Sequence, residues 1–137
     1  MTPTFQAEKL HEVRDEAWPM LEAHFLEASE GQRLDPDWST YEALELAGAL
    51  RIYTIRSAGD LLGYAVFVVS RMLHDRTRVQ AVQDVVYVAP AVRGIMGGRF
   101  LRWCEAQCAA ERVSVLVRFM PPRGWRPFRR YVRRLDA

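Results

Sequence analysis

The residues best suited to chemistry lie between Asp84 and Arg99. The segment Arg93-Gly94-Ile95-Met96-Gly97-Gly98-Arg99 follows an apolar run ending at Val88, with Pro90 in the turn between, and leads into an amphipathic stretch. A junction of this kind places backbone N–H groups without internal partners at the start of a helix. The positive end of the helix dipole lies behind them, and glycine lets an anion come close to the main chain. A pyrophosphate is a suitable ligand for such a place. The segment matches neither GxGxxG nor a Walker sequence, and taken alone it could equally be only a turn.

Two side chains near it could move protons. Asp84 lies four residues before Val88. Partial burial beside Val85 and Val86 would raise a carboxyl pKa toward the range of a general base, acting through a water. The structural alternative is a hydrogen bond to loop backbone, or an ion pair with Arg76 or Arg78. His74, in the polar segment RMLHDRTR, is the second candidate; its alternative is a solvent-facing loop histidine. His11 and His24 occupy helix positions and point to no chemistry. His, Cys and carboxylates do not recur at ligand spacing, so no metal is expected.

The elements that must position these residues are legible from periodicity. Residues 11–30 repeat apolar positions at three and four (Val13, Ala17, Met20, Leu21, His24, Phe25), which predicts a helix that Pro19 kinks or divides. After the loop GQRLDPD, Asp37 or Ser39 caps a short helix that ends at Gly48. Residues 50–56 alternate as a strand, turn at Ser57-Ala58-Gly59-Asp60, and return through residues 61–70, an apolar run buried on both faces. RMLHDRTR is then a polar loop, residues 79–88 a third strand ended by Pro90, residues 97–112 a helix with Phe100, Leu101, Cys104 and Cys108 inward, and residues 113–119 another strand. Pro121, Pro122 and Gly124 form a tight turn before a last strand over residues 125–135. Strands interleaved with helices predict a layered α/β domain with a mixed sheet, and residues 79–119 a right-handed strand–helix–strand crossover with parallel strands.

The chain has 137 residues, half of them hydrophobic. That is the length and composition of one globular domain, residues 1–137, able to bury its core without disulfides. No apolar run reaches a membrane span, and the polar, acidic N-terminus does not read as a signal peptide. Cys104 and Cys108 lie on one apolar helix face and read as small core residues; the expected location is a reducing cytoplasm.

The stretch from Asp84 to Leu101 resembles the GNAT acetyltransferases, whose pattern is a strand, a proline-containing turn and then Arg/Gln-x-x-Gly-x-Gly/Ala opening a helix. Arg93 takes the first place and Gly98 the last. Met96 stands where the family has its middle glycine, with Gly94 and Gly97 beside it. The resemblance covers most of the chain, including the strand LLGYAVFVVS, and is nearest to small single-domain bacterial and phage members. It implies a mixed, mostly antiparallel sheet flanked by helices, acetyl-CoA as cofactor, and direct attack of a primary amine on the thioester. It implies that the backbone of Tyr87 and Val88 pairs with the pantetheine arm and polarises the carbonyl. Residues Arg93, Gly94, Ile95, Met96, Gly97, Gly98 and Arg99 would hold the pyrophosphate. The family's additional helix before the last strand is replaced here by residues 120–123, a shortened C-terminus, with Gly124-Trp125 as a remnant of its GF motif. Tyr131, the only tyrosine downstream, is not assigned as an acid.

Seven arginines between Arg118 and Arg134 interleave with Trp125, Phe128 and Tyr131. This is either a solvated strand face or a nucleic-acid surface, and one or two of the arginines could hold an anionic substrate or the 3′-phosphate of CoA. Two functions follow. One is an N-acetyltransferase for a small molecule, a protein lysine or an amine-bearing nucleobase. The other is a catalytically degenerate binding protein on the same fold that uses the arginine-rich end for nucleic acid or a protein partner. A homodimer through an exposed strand edge is a further expectation.

Overall fold

The computed structural model describes residues 2–28, 34–120 and 129–136. Six strands form one sheet in chain order: β1 (Thr4–Glu8), β2 (Leu50–Ser57), β3 (Asp60–Met72), β4 (Asp75–Val88), β5 (Val115–Met120) and β6 (Arg129–Arg134). Only β4 and β5 run parallel; every other neighbouring pair is antiparallel. The helix α3 (Ile95–Ala110) connects the parallel pair, as a crossover requires. Helices α1 (Leu10–Ala28) and α2 (Trp38–Leu46) precede the long strands.

The sheet has a helical layer on each side. On one face, Phe100, Cys104 and Cys108 of α3 are fully buried against Tyr53, Ile55, Ala65, Phe67, Ala81 and Leu116. On the other, Leu10, Val13 and Ala17 of α1 pack on Leu50, Ile52, Tyr64, Val66 and Tyr87. The centre of β3, residues 63–67, is buried on both faces, as its continuous apolar run predicts. Both thiols are free and buried, and burial pushes their pKa values up. Asp37, rather than Ser39, caps α2: its carboxylate accepts from the Thr40 N–H at 3.1 Å. The β2–β3 turn places both Ala58 (φ 52°) and Gly59 (φ 86°) in the left-handed region, the geometry that matches the twist of a tight hairpin.

Several boundaries differ from the sequence reading. Residues 4–8 form an edge strand on β2, which the polar N-terminus did not signal, and Phe5 of this strand packs on Phe100 and Trp103 at 5.5 and 5.9 Å. Pro19 sits on the exposed side of α1, and the helix runs through it undivided. RMLHDRTR is not a loop: β3 and β4 continue as a ladder to a tip at Leu73 and His74. Helix α3 begins at Ile95, two residues before the predicted start. The predicted turn at Pro121, Pro122 and Gly124, the first part of the predicted last strand, and residues 29–33 lie outside the described residues. Among the described residues, no helix is long and apolar enough to cross a membrane.

The edge strand is fastened by charge. Arg56 donates from Nε and Nη2 to Glu8 at 2.8 and 2.9 Å and also pairs with Glu16, and the fully buried Thr54 hydroxyl donates to Glu8. The Arg56 and Glu8 side chains retain only 12% and 8% of their exposure. Removing one partner of such a pair leaves a buried charge poorly compensated. Glu8→Ala is therefore expected to lower the unfolding free energy by about 3 kcal/mol, read from urea denaturation midpoints against the parent protein.

Candidate active site

The site is set by one irregularity in β4. Val66 faces Val85 and Phe67 faces Gln83, so Asp84 is an extra residue without a partner, a β-bulge. Before the bulge, Val79 and Ala81 pack beneath α3; after it, Val86 and Val88 do. The inward parity of the strand has thus switched by one. Asp84 and Val85 both project to the opposite face, where they line the same cavity.

The bulge also redirects the main chain. The Ala89 N–H donates to the Leu62 carbonyl at 2.8 Å, and Val88 faces Gly63 as the next pair. Bonded and non-bonded pairs alternate along an antiparallel ladder, so the peptide groups of Val88 and Val86 turn away from β3. They face the side on which β5 would lie. There β5 has already left: the β4–β5 ladder spans only Gln80 with Val115 through Val82 with Val117. Beyond it the parallel strands part, and the Gln83 Oε1 accepts from the Phe119 N–H at 3.1 Å across the opening. Tyr87, opposite Tyr64, turns its backbone toward β3. This corrects the expectation for its peptide group: Val86 and Val88, not Tyr87, present amides to the gap.

Past the opening stands the N-terminus of α3. Gly94 caps it with φ 92°, a conformation that favours glycine, and no side chain caps the turn. The first N–H bonded along the helix is that of Gly98, to the Gly94 carbonyl at 3.0 Å. The N–H groups of Ile95, Met96 and Gly97 are left for another partner. A Cβ placed on Gly97 or Gly98 would meet nothing within 4 Å, so the space over this turn is open. Arg99 is exposed beside it. Arg93 points elsewhere: its Nε donates to the Val88 carbonyl at 2.8 Å, and its Nη2 to both oxygens of Glu27 at 3.1 and 2.8 Å. Its guanidinium lies 5.3 Å over the Tyr87 ring.

On the α1–α2 face, a cavity of about 240 Å³ lies between the two helices and the sheet. Its walls are largely aliphatic and aromatic, and Asp84 and Tyr41 meet at its edge, where the Tyr41 hydroxyl donates to the Asp84 Oδ2. Burial, then the Asp84 carboxylate, pushes the Tyr41 pKa far up, so it stays a donor. Next to this pair, His24 Nδ1 and the Tyr64 hydroxyl are 3.0 Å apart, and the His24 ring stacks on Tyr87 at 5.0 Å. The Tyr87 hydroxyl donates to Glu27 at 3.2 Å.

Asp84 therefore borders the α1–α2 cavity, Val88 the gap between β4 and β5, and Gly94, Ile95, Met96, Gly97, Gly98 and Arg99 the start of α3, whereas His74 lies at none of these. It is exposed at the hairpin tip, ten residues from Asp84 along an extended strand, a distance on the order of 30 Å. Asp84 is itself exposed rather than part-buried, and it pairs with Tyr41 instead of Arg76 or Arg78; Arg78 reaches Asp136 at 3.2 Å. Five residues of the region, His24, Glu27, Tyr41, Tyr64 and Gln83, were not singled out in the sequence. The α1 periodicity did put His24 inward, and Gln83 interrupts an apolar strand; those were the available signals.

No protein-family profile and no curated protein matches the chain. Solved structures do. The chain is similar to a ribosomal-protein-alanine N-acetyltransferase from Brucella melitensis biovar Abortus 2308, at 23% identity and TM-score 0.64, over 88% of this chain and 81% of that one. It is similar to a predicted acetyltransferase with acetyl-CoA from Clostridium acetobutylicum, at 8% identity and TM-score 0.68, over 88% and 82% of the two chains. An acetyltransferase of the GNAT family from Staphylococcus aureus Mu50 aligns at 12% identity and TM-score 0.67, over 87% and 74%. The chain has the GNAT fold.

Burial lowers the His24 pKa below its ordinary 6.5, opposed by Glu27 and reinforced by Arg93. Between the lowered value and 6.5, the unfolded chain binds more protons than the folded one. The stability tied to neutral His24 is complete above about pH 6.5 and is lost as pH falls through the folded pKa. The thermal midpoint is expected to drop between pH 7.5 and 5.5 in the native protein, and to drop less in His24→Gln, followed by circular dichroism.

Proposed function

We propose that the chain is an N-acetyltransferase that uses acetyl-CoA to acetylate a primary amine. The observation that carries this reading is the parting of β4 and β5 at the Asp84 bulge, with an unsatisfied helix N-terminus beyond it. The chain's geometry fits the cofactor. The open turn at Gly97 and Gly98 leaves room for phosphate against three free N–H groups, and the gap between the strands offers the peptide groups of Val86 and Val88 to an extended amide-bearing arm.

Acetyl-CoA supplies an activated acetyl group, its C–S bond breaking to release CoA thiolate as the amine nitrogen forms the new N–C bond. The residues of the chain do the rest. The N–H groups of Ile95, Met96 and Gly97, with Arg99, hold negative charge at the helix end. The Val88 N–H, free of β3, points where charge develops on the reacting carbonyl. Asp84 takes the proton from the amine, directly or through a water. Tyr41 occupies its Oδ2, and among the described residues its Oδ1 accepts no hydrogen bond. The reducing cytoplasm is the setting that keeps Cys104 and Cys108 as buried thiols.

A nucleic-acid role for the arginine-rich end is less favoured. Arg118 and Arg133 turn to Glu105 at 3.7 and 3.2 Å, and Arg78 and Arg134 to Asp136 at 3.2 and 3.7 Å. Two carboxylates thereby offset part of the described basic charge within the fold. Arg123, Arg126, Trp125 and Phe128 lie outside the described residues.

Two measurements test the reading. Acetyl-CoA at a hundred times its Kd adds about 2.7 kcal/mol to folded stability and is expected to raise the thermal midpoint by several degrees. Gly97→Asp puts a carboxylate at the phosphate site while suiting the first turn of a helix, so it should keep or raise the ligand-free midpoint and abolish the acetyl-CoA shift. Asp84→Asn is expected to retain that shift and reduce kcat on a turned-over amine by about 100-fold or more, measured as CoA thiol release.

A further inference from the structure

We propose that the acceptor is a primary amine carried on an apolar body, an aryl or alkyl group, seated between α1, α2 and the sheet with its nitrogen at Asp84. The proposal rests on the acetyltransferase reading and specifies its substrate class.

The cavity walls carry this inference. Val13, Ala17, Ile52, Val66 and Val85 make them aliphatic, and Phe25 and Trp38 add aromatic surface. Apart from Asp84 Oδ1 and the exposed Asp35, the side-chain polar groups along the wall already have partners. Tyr41 donates to Asp84, Tyr64 bonds His24, and Arg14 pairs with Glu42 at 3.1 Å while lying 4.4 Å over Trp38. A sugar would leave most of its hydroxyls here without hydrogen bonds, a cost that an apolar group does not incur. A polyamine would bring further positive charge beside Arg14, with Asp35 exposed at the rim as the other acid of the lining. The size agrees: an apolar cavity of about 150 Å³ holds one benzene, and about 240 Å³ holds a ring with a short chain.

The same walls assist the chemistry. An apolar surround disfavours an ammonium ion, so the bound amine more readily gives its proton to Asp84 and presents a lone pair. The nitrogen then bonds the acetyl carbon as the C–S bond breaks and CoA leaves as thiolate, and the proton the acylated nitrogen sheds passes to that thiolate or to water. Asp84 sits two residues before Val86 and four before Val88, whose amides face the gap, so the carboxylate and those amides belong to one short stretch of β4.

The test separates the pocket from the cofactor site. Calorimetry with the protein alone compares 2-phenylethylamine and hexylamine with spermidine and kanamycin; CoA release with saturating acetyl-CoA then compares their kcat/KM. The two apolar amines are expected to bind at least tenfold more tightly and to show at least tenfold higher kcat/KM. Phe25→Arg should weaken 2-phenylethylamine tenfold or more with the acetyl-CoA thermal shift intact, and Phe25→Leu should keep both. A normal acetyl-CoA shift with preference for spermidine or kanamycin overturns the proposal and leaves the acetyltransferase standing. Absence of an acetyl-CoA shift overturns the acetyltransferase reading, and the acceptor assignment with it, even if 2-phenylethylamine binds.

Discussion

Everything at the site follows from a count of residues in one strand. Asp84 is one residue more than the β3–β4 ladder can pair, and a bulge exchanges which side chains and which peptide groups face each way. Without it, Val86 and Val88 would turn their amides to β3 and their side chains to α1 and α2, and Tyr87 would lie under α3. With it, a carboxylate stands on the cavity side of the sheet while donors stand in the gap. The bulge also bends the strand just where β5 diverges, and Gln83 spans the opening by a single hydrogen bond. Fold and site are therefore not separable here, because the same irregularity that parts the sheet also aims the residues.

The close fit around the bulge limits what can change nearby. A Cβ on Gly63 would come within 2.9 Å of the Tyr87 carbonyl oxygen and 3.2 Å of the Val88 Cα, so glycine is what lets β3 lie close to β4 at the site. Tyr87 in turn is held by His24 on one side and by Arg93 on the other. Arg93 ties the turn after β4 to the C-terminal part of α1 through Glu27, whose carboxyl it holds below its usual range. The turn that leads to the α3 N-terminus is thus anchored to β4 and to the α1 layer of the sheet.

Much of this was legible in the sequence, and the limits are physical. The inward face of α1, the doubly buried centre of β3 and the glycine turn before α3 each carry a local pattern of apolar or special residues. Strand β1 does not: three of its five residues are exposed, and its ladder with β2 is formed by residues about fifty positions away. RMLHDRTR reads as a loop because both faces of a protruding hairpin meet solvent, while backbone hydrogen bonds are indifferent to side-chain polarity. The α3 boundary shifted because Ile95 is apolar yet 77% exposed, so periodicity starts after it. The meeting of His24, Tyr41, Tyr64 and Asp84 joins segments of both helices and two strands, and no spacing in a single stretch encodes it.

The gap between β4 and β5 also gives the sheet two edges in its interior. Edges elsewhere in a fold are short or covered because bare peptide groups attract other strands. Here the two edges face each other across an opening that the Gln83 side chain spans. Seen in amide exchange with solvent, the protein would have a fast seam at Val86 and Val88 running through an otherwise slow sheet. An extended ligand in the gap would act as the missing strand and close that seam.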